Sequence, residues 1–450
     1  LRSFDVAIIG GGSGGFPAAL RLASRGKRVV LFEREQIGGT CLNWGCIPTK
    51  ALLSLAHAAF KLARLSPGAR VLSLELKKVM EHKDRAISAL RSDLESLLSA
   101  SGVELIRGEA RLVQPGVVEH EGGRVRASFV VVATGSRPAP PPLEIAPGAQ
   151  GVWGSREVLS AEELPGRCVV LGGGVQGLEM AAFLSAMGSE VSVVEIADEV
   201  LPGEDRDLAG ALRAEMERGL GVRFYLRTKA SSWDGTKLRG VGPGGESVEV
   251  PGDKLVVLIG RKPCLDGIEV GKVGLGTCGG ALAVDGRMRT NVPGHYAVGD
   301  VTGQPMLAHA AMRGSLIAAA DVLGEEVDLD LRLVPRCVYT FPELASCGLT
   351  GEELERRGIP HRVEVLSLSS NGRAVAEGES GLLKLVLSRD GGRILGASLL
   401  APFASEMIGF VSGWIRAGVG LDELRRSLFF PHPTVSESMG DLLFRLGRVV

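Results

Sequence analysis

A strand–turn–helix–strand pattern occurs twice in this chain, and it limits the possible fold more than any other feature. Phe4 to Ile9 (FDVAII) reads as a short, buried parallel strand. Gly10-Gly11-Gly12-Ser13-Gly14-Gly15 follows and opens a helical stretch to about Arg25, and Lys27 to Phe32 is a second strand that ends at Glu33. Glycines at 10, 12 and 15 let the backbone approach a pyrophosphate at a helix N-terminus, and the acid at the strand end accepts ribose hydroxyls. The pattern returns with the strand Arg167 to Leu171, the glycines Gly172, Gly174 and Gly177, a helix to about Met187, the strand Glu190 to Val194, and Glu195. In both copies the acid stands 23 positions after the first glycine. Two such units imply two nucleotide cofactors, for which a flavin and a nicotinamide are the natural pair. Glu195 favours NAD, because it repels the 2′-phosphate of NADP and no arginine stands at its position, although Arg206 lies further on. The fold class is α/β, with two Rossmann-like dinucleotide-binding domains.

Just after the first unit, Gly38-Gly39-Thr40-Cys41-Leu42-Asn43-Trp44-Gly45-Cys46-Ile47-Pro48-Thr49-Lys50 places two cysteines five positions apart. The thiolate is the reactive form of cysteine, and two nearby thiols can cycle through a disulfide. On a straight helix, residues five apart lie roughly 140° apart around the axis, while a disulfide needs Cα atoms roughly 4.4–6.8 Å apart. The segment is therefore expected to be a distorted helix start, relaxed at Gly45, with Pro48 in a first turn. A pair of buried structural cysteines, or half a zinc site, is the alternative; without a second pair at ligand spacing the zinc site is a poor one.

Elsewhere, residues 51–100 read as helices broken near Ser66-Pro67-Gly68, with Val79 to Leu98 a solvated amphipathic helix. Val103 to His120 reads as strands with a turn at Gln114-Pro115-Gly116, and Phe129 to Val132 is a strand ending in Ala133-Thr134-Gly135-Ser136. The five prolines between Pro138 and Pro147 mark a linker. Leu255 to Ile259 is a buried strand that ends at Gly260, and a further strand leads to Asp300. Met306 to Leu323 is an Ala-rich helix whose N-terminus could face a cofactor phosphate or ring. From Val334 the texture changes to strands (338–340, 382–387 and 394–400) and then helices, a third domain that holds His432 and Glu437. Acids and bases nearly cancel (net charge −1), which argues against a nucleic-acid or anionic membrane surface. Seven cysteines, an odd number without framework spacing, fit a reducing cytoplasm. Cys168, Cys264, Cys278, Cys337 and Cys347 are taken as structural. No basic-then-apolar leader is visible and no apolar run reaches roughly 18 residues, so no membrane span is expected.

GGTCLNWGCIPTKALL (38–53), ATGSRP (133–138), GGGVQGLEM (172–180), VVEIADEVLPGED (193–205), AVGDVTGQPMLAHAA (297–311), VYTFPELASCGLT (338–350) and HPTVSE (432–437) are sequence blocks of one kind. Together they resemble the flavin-dependent pyridine-nucleotide disulfide oxidoreductases over nearly the whole chain, and most of all the members that act on dihydrolipoamide. The resemblance implies an FAD domain (about 1–140), an inserted NAD domain (about 141–262), a return to the flavin domain (about 263–333) and an α+β dimerisation domain (about 334–450). It implies that Glu33 binds the adenosine ribose of FAD, that Asp300 binds the ribityl chain or a nearby phosphate, and that Lys50 and Glu179 pair beside the flavin ring. Further cofactor contacts are implied at Gly39, Thr40, Ala110, Thr134, Gly135, Ser136, Gly260, Met306, Leu307, Ala308 and His309. Cys46 is then the thiol under the flavin, Cys41 the thiol that meets substrate, and His432, oriented by Glu437, the base contributed by the other subunit of a homodimer.

The function implied is oxidation of protein-bound dihydrolipoamide through Cys41, Cys46 and FAD, with electrons passed to NAD, for lipoyl-carrying proteins of 2-oxo-acid dehydrogenase or glycine-cleavage systems. A mitochondrial matrix location would require a removed targeting peptide. Two other readings stand beside this one: an NADPH-dependent reductase of another low-molecular-weight disulfide, against which Glu195 speaks, and a flavin-bearing scaffold without turnover, against which the set Cys41, Cys46, His432 and Glu437 speaks. The chain departs from the pattern at Ala310-Ala311-Met312-Arg313-Gly314, where an acidic stretch is usual, and at Pro431.

Overall fold

The computed structural model describes residues 2–65, 75–326 and 333–446. The expected helix break at Ser66-Pro67-Gly68 lies outside them. The chain folds into two compact units, each assembled from three separate stretches.

The first unit holds residues Leu1–Ala51, Met80–Pro140 and Gly260–Leu331. Its main sheet runs in the order Glu104–Arg107, Val29–Glu33, Arg2–Ile9, Gly123–Val132, Val117–His120, Ala110–Gln114, and His295–Ala297 pairs beside Gly123–Val132. The strands around the centre are parallel, with Ile8 opposite both Leu31 and Val131. Alternate side chains leave a strand on opposite faces, so each central strand feeds two cores. Val6, Ile8, Leu31 and Val131 pack on one side with Leu22 and Ile317, and Ala7, Ile9, Val30 and Val132 pack on the other. The helices Phe16–Ala23 and Ala308–Val322 cover the first side. Small residues let them approach closely: Ala310, Ala311, Gly314 and Ser315 are buried, and Ser315 Oγ accepts the Ala18 N–H at 2.9 Å. That bond satisfies one of the donors that every helix start leaves open. The departure at 310–314 is therefore a packing surface.

The second unit holds Leu52–Val79, Pro141–Ile259 and Arg332–Val450. One sheet is wholly parallel, in the order Arg223–Tyr225, Glu190–Val194, Arg167–Leu171, Lys254–Val257, Val152–Trp153. A second joins Ser247–Pro251, Lys237–Val241, Lys229–Trp233 and Glu144–Ile145. The third is antiparallel, in the order Arg336–Val338, Glu343–Gly348, Ile394–Ala401, Leu382–Ser388, His361–Ser367, and the helices Ala404–Ala417, Leu421–Ser427 and Glu437–Leu446 pack their apolar sides into its core. Here too the second half of the helix Cys46–Leu65 is held: the His57 ring stacks on Phe341 at 4.6 Å and bonds to the buried Glu379 at 2.9 Å. Glu204 and Asp205 anchor the third sheet, Glu204 through Arg336 (2.6 Å) and Ser346 (2.5 Å), and Asp205 through Lys384 (2.6 Å).

Several elements differ from their expected form. The proline-rich stretch is no free linker. Ser136–Pro138 pairs with Arg261–Pro263, and Glu144–Ile145 adds to the strand Lys229–Trp233. Proline makes extended chain, and extended chain at a sheet edge needs no donor from the proline itself. The strand expected at 338–340 stops at Val338, and the strands Glu343–Gly348 and His361–Ser367 were not expected. Cys278 is exposed, because it sits on a two-stranded ribbon, Thr277–Cys278 with Ala281–Leu282, too short to bury it.

His295 is buried between two turns of the first unit. Its Nδ1 lies 2.9 Å from the Pro293 carbonyl and its Nε2 accepts the Gly116 N–H at 2.9 Å, which fixes the neutral form. Burial holds its pKa below the ordinary histidine value. With the folded pKa below the unfolded one of roughly 6.5, the contribution is complete above that pH and is lost as pH falls through the folded value. The thermal midpoint is expected to drop between about pH 7 and pH 5. His295→Ala is expected to cost about 1–3 kcal/mol at pH 7.5 and to flatten that drop, as read by melting curves at both pH values.

Candidate active site

Each glycine loop is closed by a contact that only glycine allows. A Cβ on Gly15 would lie 1.8 Å from the Gly10 carbonyl oxygen, and one on Gly177 would lie 1.9 Å from that of Gly172. Gly10 and Gly172 are left-handed, at φ 105° and 110°. The helices that follow, Phe16–Ala23 and Val175–Ala186, have no side-chain cap, so their first N–H groups point to whatever occupies the loop. A Cβ on Gly174 would meet nothing within 4 Å, the open space a pyrophosphate requires. Glu33 and Glu195 are both buried and bound in the same way. Glu33 accepts the N–H of Gly11 and of Glu35, each at 2.8 Å, and Glu195 accepts those of Gly173 at 2.6 Å and Ala197 at 2.8 Å. A carboxylate offers about four acceptor sites, so both keep capacity for ribose hydroxyls. These loops fit the adenine-dinucleotide halves of FAD and NAD.

The cysteine segment is built against the first loop. Gly38 N–H donates to the Gly11 carbonyl at 2.8 Å, and a Cβ on Gly39 would lie 2.7 Å from the Gly12 Cα. The helix Gly39–Trp44 ends at Gly45 (φ −141°, ψ −110°), and a new helix, Cys46–Leu65, begins at once. This break brings together two thiols that a straight helix would separate. The buried Asn43 ties the first helix down, with Nδ2 donating to the carbonyls of Ile37 (2.9 Å) and Gly39 (3.0 Å). The hydrogen bond of Cys41 to Cys46, then burial, then the charge on Cys46 push the Cys41 thiol up, while the Ser13 hydroxyl and the Lys50 ammonium pull it down. The two sulfurs are thus in hydrogen-bonding contact, with the Ser13 hydroxyl and the Lys50 ammonium acting on Cys41. Ser13 was not singled out from sequence. Its place inside the glycine motif was the available signal, but only the folded loop brings it to Cys41.

Asp300 lies on a short 3₁₀ turn, Gly299–Thr302, and its Oδ2 accepts the Ser136 hydroxyl at 2.5 Å. Arg261 donates to Ser136 twice, from Nε to Oγ at 2.7 Å and from Nη2 to the carbonyl at 2.8 Å. Thr134 Oγ1 donates to the Cys264 carbonyl at 2.6 Å, Gly135 accepts the Cys264 N–H at 2.9 Å, and Gly260 accepts the Ala139 N–H at 3.0 Å. Leu307, preceded by Met306, is the extended residue before the helix Ala308–Val322; that start has no side-chain cap, and His309 is exposed on it. Ala110 begins a strand and pairs with His120. In the second unit, Glu179 is buried on the helix Val175–Ala186 and its Oε1 accepts the Tyr339 N–H at 3.0 Å. His432 Nδ1 lies 2.9 Å from Glu437 Oε2, and the ring is 81% exposed. The turn between them is fixed by Thr434, whose hydroxyl donates to the Pro431 carbonyl at 2.8 Å and accepts the Glu437 N–H at 3.2 Å. Among the described residues no group of three or more His, Cys, Asp or Glu could hold a metal ion, and no helix is long and apolar enough to cross a membrane.

Residues 4–315 match the family model described as pyridine nucleotide-disulphide oxidoreductase, and residues 334–443 match the dimerisation domain of the same family. The chain is 38% identical to the dihydrolipoyl dehydrogenase of Thermus scotoductus, over 98% of this chain and 96% of that protein. It is 33% identical to the dihydrolipoyl dehydrogenase of Bacillus subtilis, over 99% of each. Among solved structures, LpdA from Mycobacterium tuberculosis superposes with a TM-score of 0.88 at 29% identity, covering 99% of this chain and 100% of that one. The HOCl-induced flavoprotein disulfide reductase RclA of Escherichia coli gives 0.87 at 29% identity with the same coverage. Two glycine loops, a thiol pair docked on the first, and matches along almost the whole length lead to one conclusion: this chain belongs to the pyridine nucleotide-disulphide oxidoreductase family.

Proposed function

We propose that this chain oxidises dihydrolipoyl groups carried on proteins and passes the electrons to NAD by way of FAD. The observation that carries the reading is the Cys41–Cys46 pair, its two thiols hydrogen-bonded to each other and its segment seated on the first glycine loop. The relatives named dihydrolipoyl dehydrogenase, similar along the whole chain, supply the substrate. Bound FAD would take the electron pair of the two thiols, and bound NAD would carry it off as hydride. The loop 10–15, Glu33 and Asp300 would hold FAD, with Lys50 and Glu179 beside its ring; the loop 172–177 and Glu195 would hold NAD. The remaining contacts proposed for the cofactors are Gly39, Thr40, Ala110, Thr134, Gly135, Ser136, Gly260 and residues 306–309.

The chain's own residues would act in sequence. His432, held through Nδ1 by Glu437, takes a proton from a substrate thiol on Nε2, because a thiol must become a thiolate before it attacks. The carboxylate fixes the tautomer and stabilises the imidazolium that forms. The substrate thiolate attacks the Cys41 sulfur of the oxidised pair and releases Cys46 as thiolate, which takes up the first proton; His432 then takes the proton of the second substrate thiol, the thiolate so formed attacks the mixed disulfide and frees Cys41, and Cys41 receives that proton from the imidazolium. The product is the cyclic disulfide, and the pair is left as two thiols. The histidine would come from the partner in a homodimer, built through the family's dimerisation domain at 334–443. The carriers would be lipoyl proteins of 2-oxo-acid dehydrogenase or glycine-cleavage systems, in the cytoplasm.

The direct experiment adds dihydrolipoamide anaerobically to the yellow holoenzyme and then adds NAD. Bleaching followed by recovery, with NADH formed, is expected. A chromophore that ignores dihydrolipoamide but responds to NADPH and another disulfide would replace this reading with that of a different disulfide reductase. Cys46→Ser and Cys41→Ser are each expected to stay yellow and to lose more than about 10³-fold in lipoamide turnover. His432→Gln is expected to lose about 10²–10⁴-fold in kcat with unchanged flavin content. Gly15→Ala is expected to purify without colour, since its Cβ would displace the loop, whereas Gly177→Ala should keep FAD and lose NADH binding; absorbance at purification and NADH titration separate the two.

A further inference from the structure

The segment from Glu195 to Leu201 is a loop clamped at both ends to a single glycine. Glu195 Oε2 accepts the Gly173 N–H at 2.6 Å, and the Leu201 N–H donates to the Gly173 carbonyl at 2.9 Å. Two of the four left-handed non-glycine residues among the described residues stand at this loop, Leu201 (φ 53°) and Arg227 (φ 50°), and the Arg227 N–H donates to the Ala197 carbonyl at 2.9 Å. Backbone of this kind persists where its surroundings fix it, and it collects at functional sites. Ile196 is 67% exposed on the loop, and Asp198 follows two residues later. Asp198 Oδ2 lies 2.7 Å from Nη1 of Arg206, the first residue of the helix Arg206–Leu220. Arg206 first, and Arg227 after it, hold the Asp198 carboxyl below the usual range. The neighbouring Glu199 is engaged by Arg213 at 2.9 Å.

We propose that Asp198 is a second determinant of the choice between NAD and NADP: it engages Arg206, and so withholds the guanidinium that would otherwise meet a 2′-phosphate, while Glu195 repels that phosphate directly. This rests on the NAD reading of the second glycine loop and deepens it. Sites that accept NADP offer an arginine to the 2′-phosphate, and a guanidinium binds phosphate through paired hydrogen bonds. The Arg206–Asp198 pair is more than half exposed on both sides, so it is weak enough to yield to a phosphate dianion once the acids are gone. Removing Glu195 alone leaves Asp198 repelling and Arg206 engaged; removing Asp198 alone leaves Glu195. The two substitutions must therefore act more than multiplicatively together.

The test uses holoenzyme carrying Glu195→Ala, Asp198→Ala, both, or both with Arg206→Ala. Two readouts are taken: calorimetric binding of 2′,5′-ADP against ADP, and kcat/KM for NADPH against NADH with ferricyanide as acceptor, which requires no thiol substrate. The double variant is expected to shift both ratios toward the phosphorylated ligand by about 100-fold or more, beyond the product of the single shifts, and Arg206→Ala is expected to remove most of that gain. A double variant equal to the product of its singles, or one indifferent to Arg206→Ala, overturns the proposal. A parent enzyme that binds neither ADP nor NADH overturns the NAD reading itself and the proposal with it.

Discussion

The last glycine of each nucleotide loop is packed so tightly on the carbonyl of the first that no side chain fits between them. Much of the molecule follows from this contact. It sets the helix start directly behind the strand end and leaves the first N–H groups of the helix facing outward without a side-chain cap. It brings the backbone of the loop within reach of the acid at the end of the next strand, so that Glu33 and Glu195 each close a ring back onto their own loop. One turn of chain thus presents both uncapped N–H groups and a carboxylate with spare acceptor capacity, the two features an adenine dinucleotide requires.

The same loop is also the floor of the redox segment. Gly38 and Gly39 lie on Gly11 and Gly12, and Ser13 comes to the Cys41 side chain. A segment fixed to the loop on one side, and broken at Gly45 on the other, holds two sulfurs within hydrogen-bonding range without a bridge to force them. Proximity supplied by the backbone in this way keeps the dithiol ready to close.

Both loops, the cysteine pair and the His432–Glu437 pair were legible in the sequence because each is a local pattern, with its members within about two dozen positions. What stayed hidden depends on residues far apart. Ser136 meets Arg261 and Asp300 across more than a hundred positions, and nothing near Ser136 announces either. The proline-rich stretch reads as linker by composition, yet partners at 232–233 and 261–263 turn it into edge strands. The run at 310–314 reads as an anomaly until Ala311 is seen packed against Gly299 and Gly314 against Met288, with the next residue, Ser315, bonded to Ala18 nearly three hundred positions earlier. The strand Glu343–Gly348 is short and lies between Pro342 and Gly348, which suggest turns, whereas its burial comes from the strands on either side and from the helix Ala404–Ala417 packed on its face.

In the stretch from Glu195 to Asp205, contacts to the second glycine loop and anchors of the architecture share one length of chain. At its start Glu195 and Asp198 face the nucleotide loop and Arg206; at its end Glu204 and Asp205 are fixed to Arg336, Ser346 and Lys384 of the antiparallel sheet. Asp205 also caps the helix Arg206–Leu220, accepting the N–H groups of Asp207 and Leu208. A buried carboxylate paired with a buried lysine contributes little net stability, but it tolerates few alternative positions. Its effect here is to fix the first turn of that helix, and with it the backbone that carries Arg206. The backbone of Arg206 is therefore positioned by a residue whose own partner belongs to another sheet. A change at Lys384 would reach the backbone of Arg206, and the ion pair it makes with Asp198, through this path.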